Sequence, residues 1–186
     1  MSSNRRSAIR REKREREKIL KDKSKNGKLR RAEKLGNDIG KIIPLVKTME
    51  ILYIDYKWSK EELVELSHKL FEQVSKSGTE VFQYALQVWQ EKMEIAILKA
   101  NNGKPLRTNA NTIEESIFLK NRNENYVFYS SAILLELFSD YNMYKKLDKI
   151  IDELALLFND ISKEPEKHTI SRYTKEFKEI VGLDII

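Results

Sequence analysis

From Pro44 almost to the C-terminus, large apolar residues return every three or four positions, the repeat of a helix face rather than of a strand. Leu45, Met49, Leu52 and Tyr56 form one such face, and Pro44 suits its first turn, where no intrahelical N–H donor is needed. The run Ile51-Leu52-Tyr53-Ile54 also fits a short strand, and both readings stay open. Ser59 with Glu62 three residues on makes a capping box, and Trp58 can staple onto Leu63. A helix over about 60–76 follows, burying Leu63, Leu66, Leu70 and Val74. After a break at Ser77-Gly78, residues 80–100 are apolar around much of the helical circumference, which predicts a central helix contacted on several sides.

Beyond a turn at Asn101-Asn102-Gly103-Lys104-Pro105, Thr112 with Glu115 is a second capping box opening a short helix to about residue 121. The polar stretch 121–125 separates it from a helix over 126–138. Ser139 or Asp140 can cap the next helix, whose Met143, Leu147, Ile150, Leu154, Leu157 and Ile161 keep nearly heptad spacing. So short a run predicts a seam inside a bundle, and the same six residues are the candidate face for a homo-oligomer. Pro165 ends that region, and Ser171 precedes a terminal helix carrying Tyr173, Phe177 and Ile180 that stops at Gly182. The apolar tail of Leu183, Ile185 and Ile186 is expected to dock on its own bundle, the alternative being a short peptide bound by another protein. The predicted fold is therefore all-α, an irregular helical bundle of about six or seven helices, with residues 41–186 as the helical domain.

Residues 1–40 read as a basic N-terminal arm and hinge. Residues 1–36 hold fifteen Lys and Arg against five acids, a charge of +10, while the rest carries 20 bases and 24 acids. Its large apolar residues are only Ile9, Ile19, Leu20, Leu29 and Leu35, too few to offset the entropy of folding alone. Glu12 to Arg16 and Glu17 to Lys21 are favourable four-residue pairs, so residues 7–23 are helix-capable, with Asn26-Gly27 as a break and Gly36 and Gly40 as a hinge.

Concentrated positive charge points to a polyanion. The candidate phosphate-binding residues are Arg5, Arg6, Arg10, Arg11, Lys13, Arg14, Arg16, Lys21, Arg30 and Arg31; on a helix, Arg6, Arg10, Lys13, Arg14 and Lys21 share a face, with Glu17 intruding on it. The first aromatic residue is Tyr53, so the arm offers no stacking platform for single strands, and backbone or groove contact with duplex DNA or structured RNA fits better. Asn4-Arg5-Arg6-Ser7-Ala8-Ile9-Arg10-Arg11 resembles part of a bZIP basic region, which implies a continuous helix presenting Asn and Arg to base edges. It departs from that pattern at Glu12, where a closing Arg would stand. Arg30-Arg31-Ala32-Glu33-Lys34 resembles the arginine-rich RNA-binding peptide of phage antiterminator N proteins.

Other chemistries find little support. With no cysteine, the chain has no thiolate nucleophile, disulfide or cysteine-ligated metal. P-loop, dinucleotide-fold and zinc-hydrolase motifs are absent, and Asn26-Gly27-Lys28 and Asn102-Gly103-Lys104 lack the second glycine of a phosphate loop. Glu65-x-x-His68 has di-iron spacing, but the only other histidine, His168, lacks a matching acid, so no metal or cofactor is expected. The aromatic residues Trp89, Tyr126, Phe128, Tyr129 and Tyr141 read as core packing. No stretch approaches the ~20 apolar residues of a membrane span, which predicts a cytoplasmic protein. The expected function is thus a non-enzymatic nucleic-acid-associated accessory or regulatory protein. The alternative is a protein-interaction factor, such as an inhibitor, adaptor or assembly protein, whose arm covers an acidic or nucleic-acid-binding surface of a partner.

Overall fold

The computed structural model describes residues 3–75, 79–106 and 108–184, with side chains from residue 24 onward except at 166. Among these are six α-helices and no strand: α1 (Ser3–Tyr56), α2 (Lys60–Ser75), α3 (Glu80–Ala100), α4 (Ile113–Ser139), α5 (Leu147–Lys163) and α6 (Ile170–Val181), with a 3₁₀ turn at Pro165–Lys167. The all-α expectation holds, and Ile51–Ile54 is helical.

The predicted break at Asn26-Gly27 and hinge at Gly36 and Gly40 are not there: α1 runs through all three glycines and through Pro44. The reason lies in packing against α4. A methyl group at Gly36 would stand 2.6 Å from the Phe118 carbonyl oxygen, and one at Gly40 would stand 2.6 Å from Asn125 Cβ and 2.7 Å from the Arg122 carbonyl oxygen. These glycines let two backbones touch. Pro44 forgoes the hydrogen bond its N–H would make to Gly40, yet the surrounding stretch from Ile43 to Leu52 is nearly all buried, which holds the helix together.

Gly36 faces Asn121 and Gly40 faces Asn125, an offset of 85 residues each time, so α1 and α4 run parallel. They also end level. Lys57 and Asn142, again 85 apart, both take positive φ (59° and 51°). Each is followed by a bond from the next N–H to a carbonyl six residues back, Trp58 to Leu52 and Met143 to Leu137. The Trp58 and Tyr141 rings then meet at 4.8 Å, and Trp58 packs against the core.

The central helix is α4, a correction to the assignment of residues 80–100. Ser130 to Leu134 are five consecutive buried residues, which only contact on all sides allows. The polar stretch 121–125 does not interrupt α4 because its asparagines bond within the fold: Asn121 Nδ2 donates to the Ile117 carbonyl (2.8 Å), and Asn125 Nδ2 to the Asn121 carbonyl (2.8 Å) and to Asn37 Oδ1 on α1 (2.9 Å). Arg122 is buried there too, its guanidinium 5.7 and 5.8 Å from the Phe118 and Tyr126 rings.

Helix α3 lies antiparallel to α4, with Trp89 against Phe138 and Ile97 and Leu98 sharing a cleft with Asn123 and Val127. It buries one face, Leu86, Trp89, Met93, Ala96 and Ile97, rather than its whole circumference. Helix α5 starts at Leu147, not after a cap at Ser139 or Asp140; Asp140 instead ends α4, its N–H bonding to the Glu136 carbonyl. Of the six seam residues, Met143, Leu147, Ile150, Leu154 and Ile161 are buried and Leu157 packs partly against the core, so this face is used within the bundle and is not open to a second copy. Thr169 rather than Ser171 caps α6, accepting from the Arg172 N–H (3.3 Å), and Val181 is buried in place of the exposed Ile180. Gly182 ends α6 at φ 76° as its position predicts. Leu183 packs partly on the bundle, while Ile185 and Ile186 lie outside the described residues.

Candidate nucleic-acid interface

The parallel register locates where α1 parts from the bundle. Carrying the 85-residue offset back from Gly36 and Asn121 sets Ile113, the first residue of α4, level with residue 28 of α1. Helix α1 begins at Ser3, so its leading portion extends past the start of α4 by roughly 40 Å at 1.5 Å per residue. Burial follows the same boundary. Leu29 and Ala32 are half-buried, Gly36 is the first fully buried residue of the described stretch, and a methyl at Gly27 would meet nothing within 4 Å.

Arg30 and Arg31 are exposed at the base of this extension, together with Lys25, Lys28 and Lys34, which the sequence reading had not singled out as ligands. Glu33 is the only acid among residues 24–36. The side chains of Arg5, Arg6, Arg10, Arg11, Lys13, Arg14, Arg16 and Lys21 lie outside the described residues; their backbone belongs to α1.

The other candidate residues are occupied by ordinary structural contacts. Glu65 pairs with Lys69 Nζ at 3.2 Å, a lysine that also reaches Asp140 at 3.2 Å, and His68 is exposed. These two carboxylates raise the Lys69 ammonium above its usual range, and Lys69 in turn lowers the Asp140 carboxyl. His168 Nδ1 lies 2.6 Å from the Tyr173 hydroxyl. Among the described residues, no group of three potential metal ligands comes together. Trp89 and Tyr126 are buried, and Phe128 and Tyr141 pack partly on the core. Burial drives the Tyr126 hydroxyl far above its ordinary value, with its ring stacked 4.4 Å from Phe158. No described helix is long and apolar enough to cross a membrane.

One surface went unread in the sequence. On α3, Val81 (82% exposed), Tyr84 (76%), Val88, Ile95 (65%) and Leu98 are exposed. Their three- and four-residue spacing was available as a signal, but it overlaps a second apolar face on the same helix that is buried.

No family model matches this chain, and no curated protein or solved structure is significantly similar to it. The class that can be stated is an all-α bundle built on a parallel pair of helices, the first of which carries the basic segment.

Proposed function

We propose that the protein is a non-enzymatic nucleic-acid-associated accessory or regulatory factor, in which the leading part of α1 is a helical rod that tracks phosphates and the bundle is its mount. The observation that supports this reading is the continuity of α1. One uninterrupted helix carries eleven of the fifteen cations and four of the five acids of residues 1–36 past the start of its main packing partner. A hinged coil would have to lose backbone entropy on binding, about 1–2 kcal/mol per residue ordered, whereas a preformed helix presents its charges at fixed intervals.

Helical phase aligns Arg6, Arg10, Lys13, Arg14 and Lys21, and counterion release then supplies the affinity. With no aromatic residue before Tyr53, contact runs to the backbone of duplex DNA or structured RNA rather than to stacked bases.

Fluorescence anisotropy with a generic duplex and a folded RNA tests this. Binding is expected to weaken steeply with salt, losing ~0.9 log unit per log unit of salt for each DNA phosphate neutralised. It is also expected to be lost when residues 1–28 are removed and weakened by R30Q/R31Q. Affinity equal at 50 and 300 mM salt, or full binding without residues 1–28, refutes the reading. A stoichiometric protein complex that survives nuclease, in the absence of such binding, would replace it with the protein-interaction role.

A further inference from the structure

Val81, Tyr84, Val88, Ile95 and Leu98 occupy alternate three- and four-residue steps along α3, with Glu91 at the remaining step. The spacing is that of a and d positions over 18 residues, a short seam of fewer than three heptads, exposed on a helix whose opposite face is already buried. Contiguous apolar surface of this kind marks a contact site. Its borders are open as well: Glu80, Gln87 and Glu94 on one side and Lys92 and Lys99 on the other are exposed, and Ala85 is half-buried and small.

The border charges identify the occupant. In a parallel pair each g residue faces the e residue five positions on in the other helix, which brings Glu94 to Lys99 and Gln87 to Lys92, each twice. In an antiparallel pair like borders meet, which sets Glu80 against Glu94 twice and Lys92 against Lys92, with Gln87 on Gln87 and Ala85 on Lys99 neutral, so no attractive pair forms and three are repulsive. Glu91 is a polar layer in the seam. In a parallel pair the two Glu91 side chains share one d layer, and the like-charge contact is offset by Lys92 of the second copy, the e residue that borders the hole receiving each Glu91. Such a polar layer costs stability relative to an apolar one.

We infer that the protein forms a parallel, two-fold dimer through the exposed face of α3, the occupant of each seam being a second copy of this chain. Because α3 is antiparallel to α4, and α4 parallel to α1, a two-fold axis along α3 points both α1 extensions the same way from the same end of the dimer. The dimer stands on α3 alone; that two basic rods then share one nucleic acid rests on the proposed function.

Sedimentation equilibrium of the full chain, without nucleic acid, is expected to give twice the 22.0 kDa chain mass. I95E should give a monomer with unchanged helical circular dichroism, since the side chain is exposed, and a melting temperature that no longer rises with protein concentration. K99E should raise the dimer dissociation constant about fivefold by turning two attractive pairs into repulsive ones, and E94K/K99E should restore it. The native chain has no cysteine, so single-cysteine variants report orientation directly. Y84C is expected to yield disulfide-linked dimers on mild oxidation.

A full chain that stays at 22.0 kDa up to about 100 µM, where weak but specific dimers assemble, overturns the inference. So does a dimer that persists in I95E. Cross-linking between Y84C and I95C chains, with none among Y84C chains, overturns the parallel arrangement. None of these results bears on salt-sensitive binding by α1, so the two ideas fail separately.

Discussion

Gly36 and Gly40 do the work opposite to that of a hinge. Their missing side chains admit the α4 backbone, and each added methyl would collide with main-chain or Cβ atoms that cannot swing aside. Gly36→Ala and Gly40→Ala are therefore expected to destabilise by about 1–3 kcal/mol despite the better helix propensity of alanine. Gly27→Ala meets open space and is expected to stabilise α1 by up to about 1 kcal/mol. Urea unfolding of the three variants separates close packing from flexibility; equal effects at all three positions would refute the packing argument. Glu136, buried on α4, is the other residue with a measurable signature. Burial, aided by Asp140 and opposed by Lys69, pushes its carboxyl from the ordinary 4.5 up to about 7. The folded protein then holds a proton that the unfolded chain releases, so this residue's contribution to stability falls as pH rises from about 4.5 through 7. Glu136→Gln should melt higher than the native protein at pH 8, with the difference shrinking toward pH 5. A pH-independent difference would show that Glu136 does not titrate in that window.

Capping is where sequence and structure agree most closely at the scale of elements. The Ser59 N–H donates to Glu62 Oε2 at 2.7 Å and the Glu62 N–H to Ser59 Oγ at 3.2 Å, the reciprocal pair expected from residue type and spacing. Ser59→Ala should accordingly lower stability by about 1 kcal/mol, read as a shift in the denaturation midpoint at unchanged slope. The Thr112 box forms with a variation. Its hydroxyl accepts from the Glu115 N–H at 3.1 Å, but Glu115 reaches back to the N–H of Asn111, at 2.8 Å. Such bonds span three or four residues and need no tertiary partner, which is why they are legible. Breaks are less so. Asn121 and Asn125 have the composition of a loop, yet their amides bond to carbonyls four residues back and, for Asn125, to Asn37 across the interface. That α4 rather than α3 is the central helix has a related reason. Apolar content suggested that α3 was central, while the buried Ser130, Ser131 and Ala132 of α4 are small enough for helices to approach on every side.

At the scale of the whole molecule, the parallel pair of α1 and α4 sets both the length of the basic extension and the directions of the other helices. The salt dependence of nucleic-acid binding belongs here, since it depends on how much of α1 lies past Ile113 and not on any one arginine. The candidate interface was legible as charge: fifteen cations in the first 36 residues need no fold to be counted. Its form was not. Whether residues 26–40 bend or run straight depends on Phe118, Asn121, Arg122 and Asn125, more than 80 residues away in the chain. The sequence by itself determined the helical class, the caps at Ser59 and Thr112, the stop at Gly182 and the placement of charge, because each follows from local spacing or composition. Only the tertiary structure decided that the glycines join α1 to α4, that the Met143 to Ile161 seam is spent inside the bundle and that α3 turns a heptad face outward. An apolar residue carries the same hydrophobic drive wherever it stands, and its neighbours in space determine which surface is left uncovered.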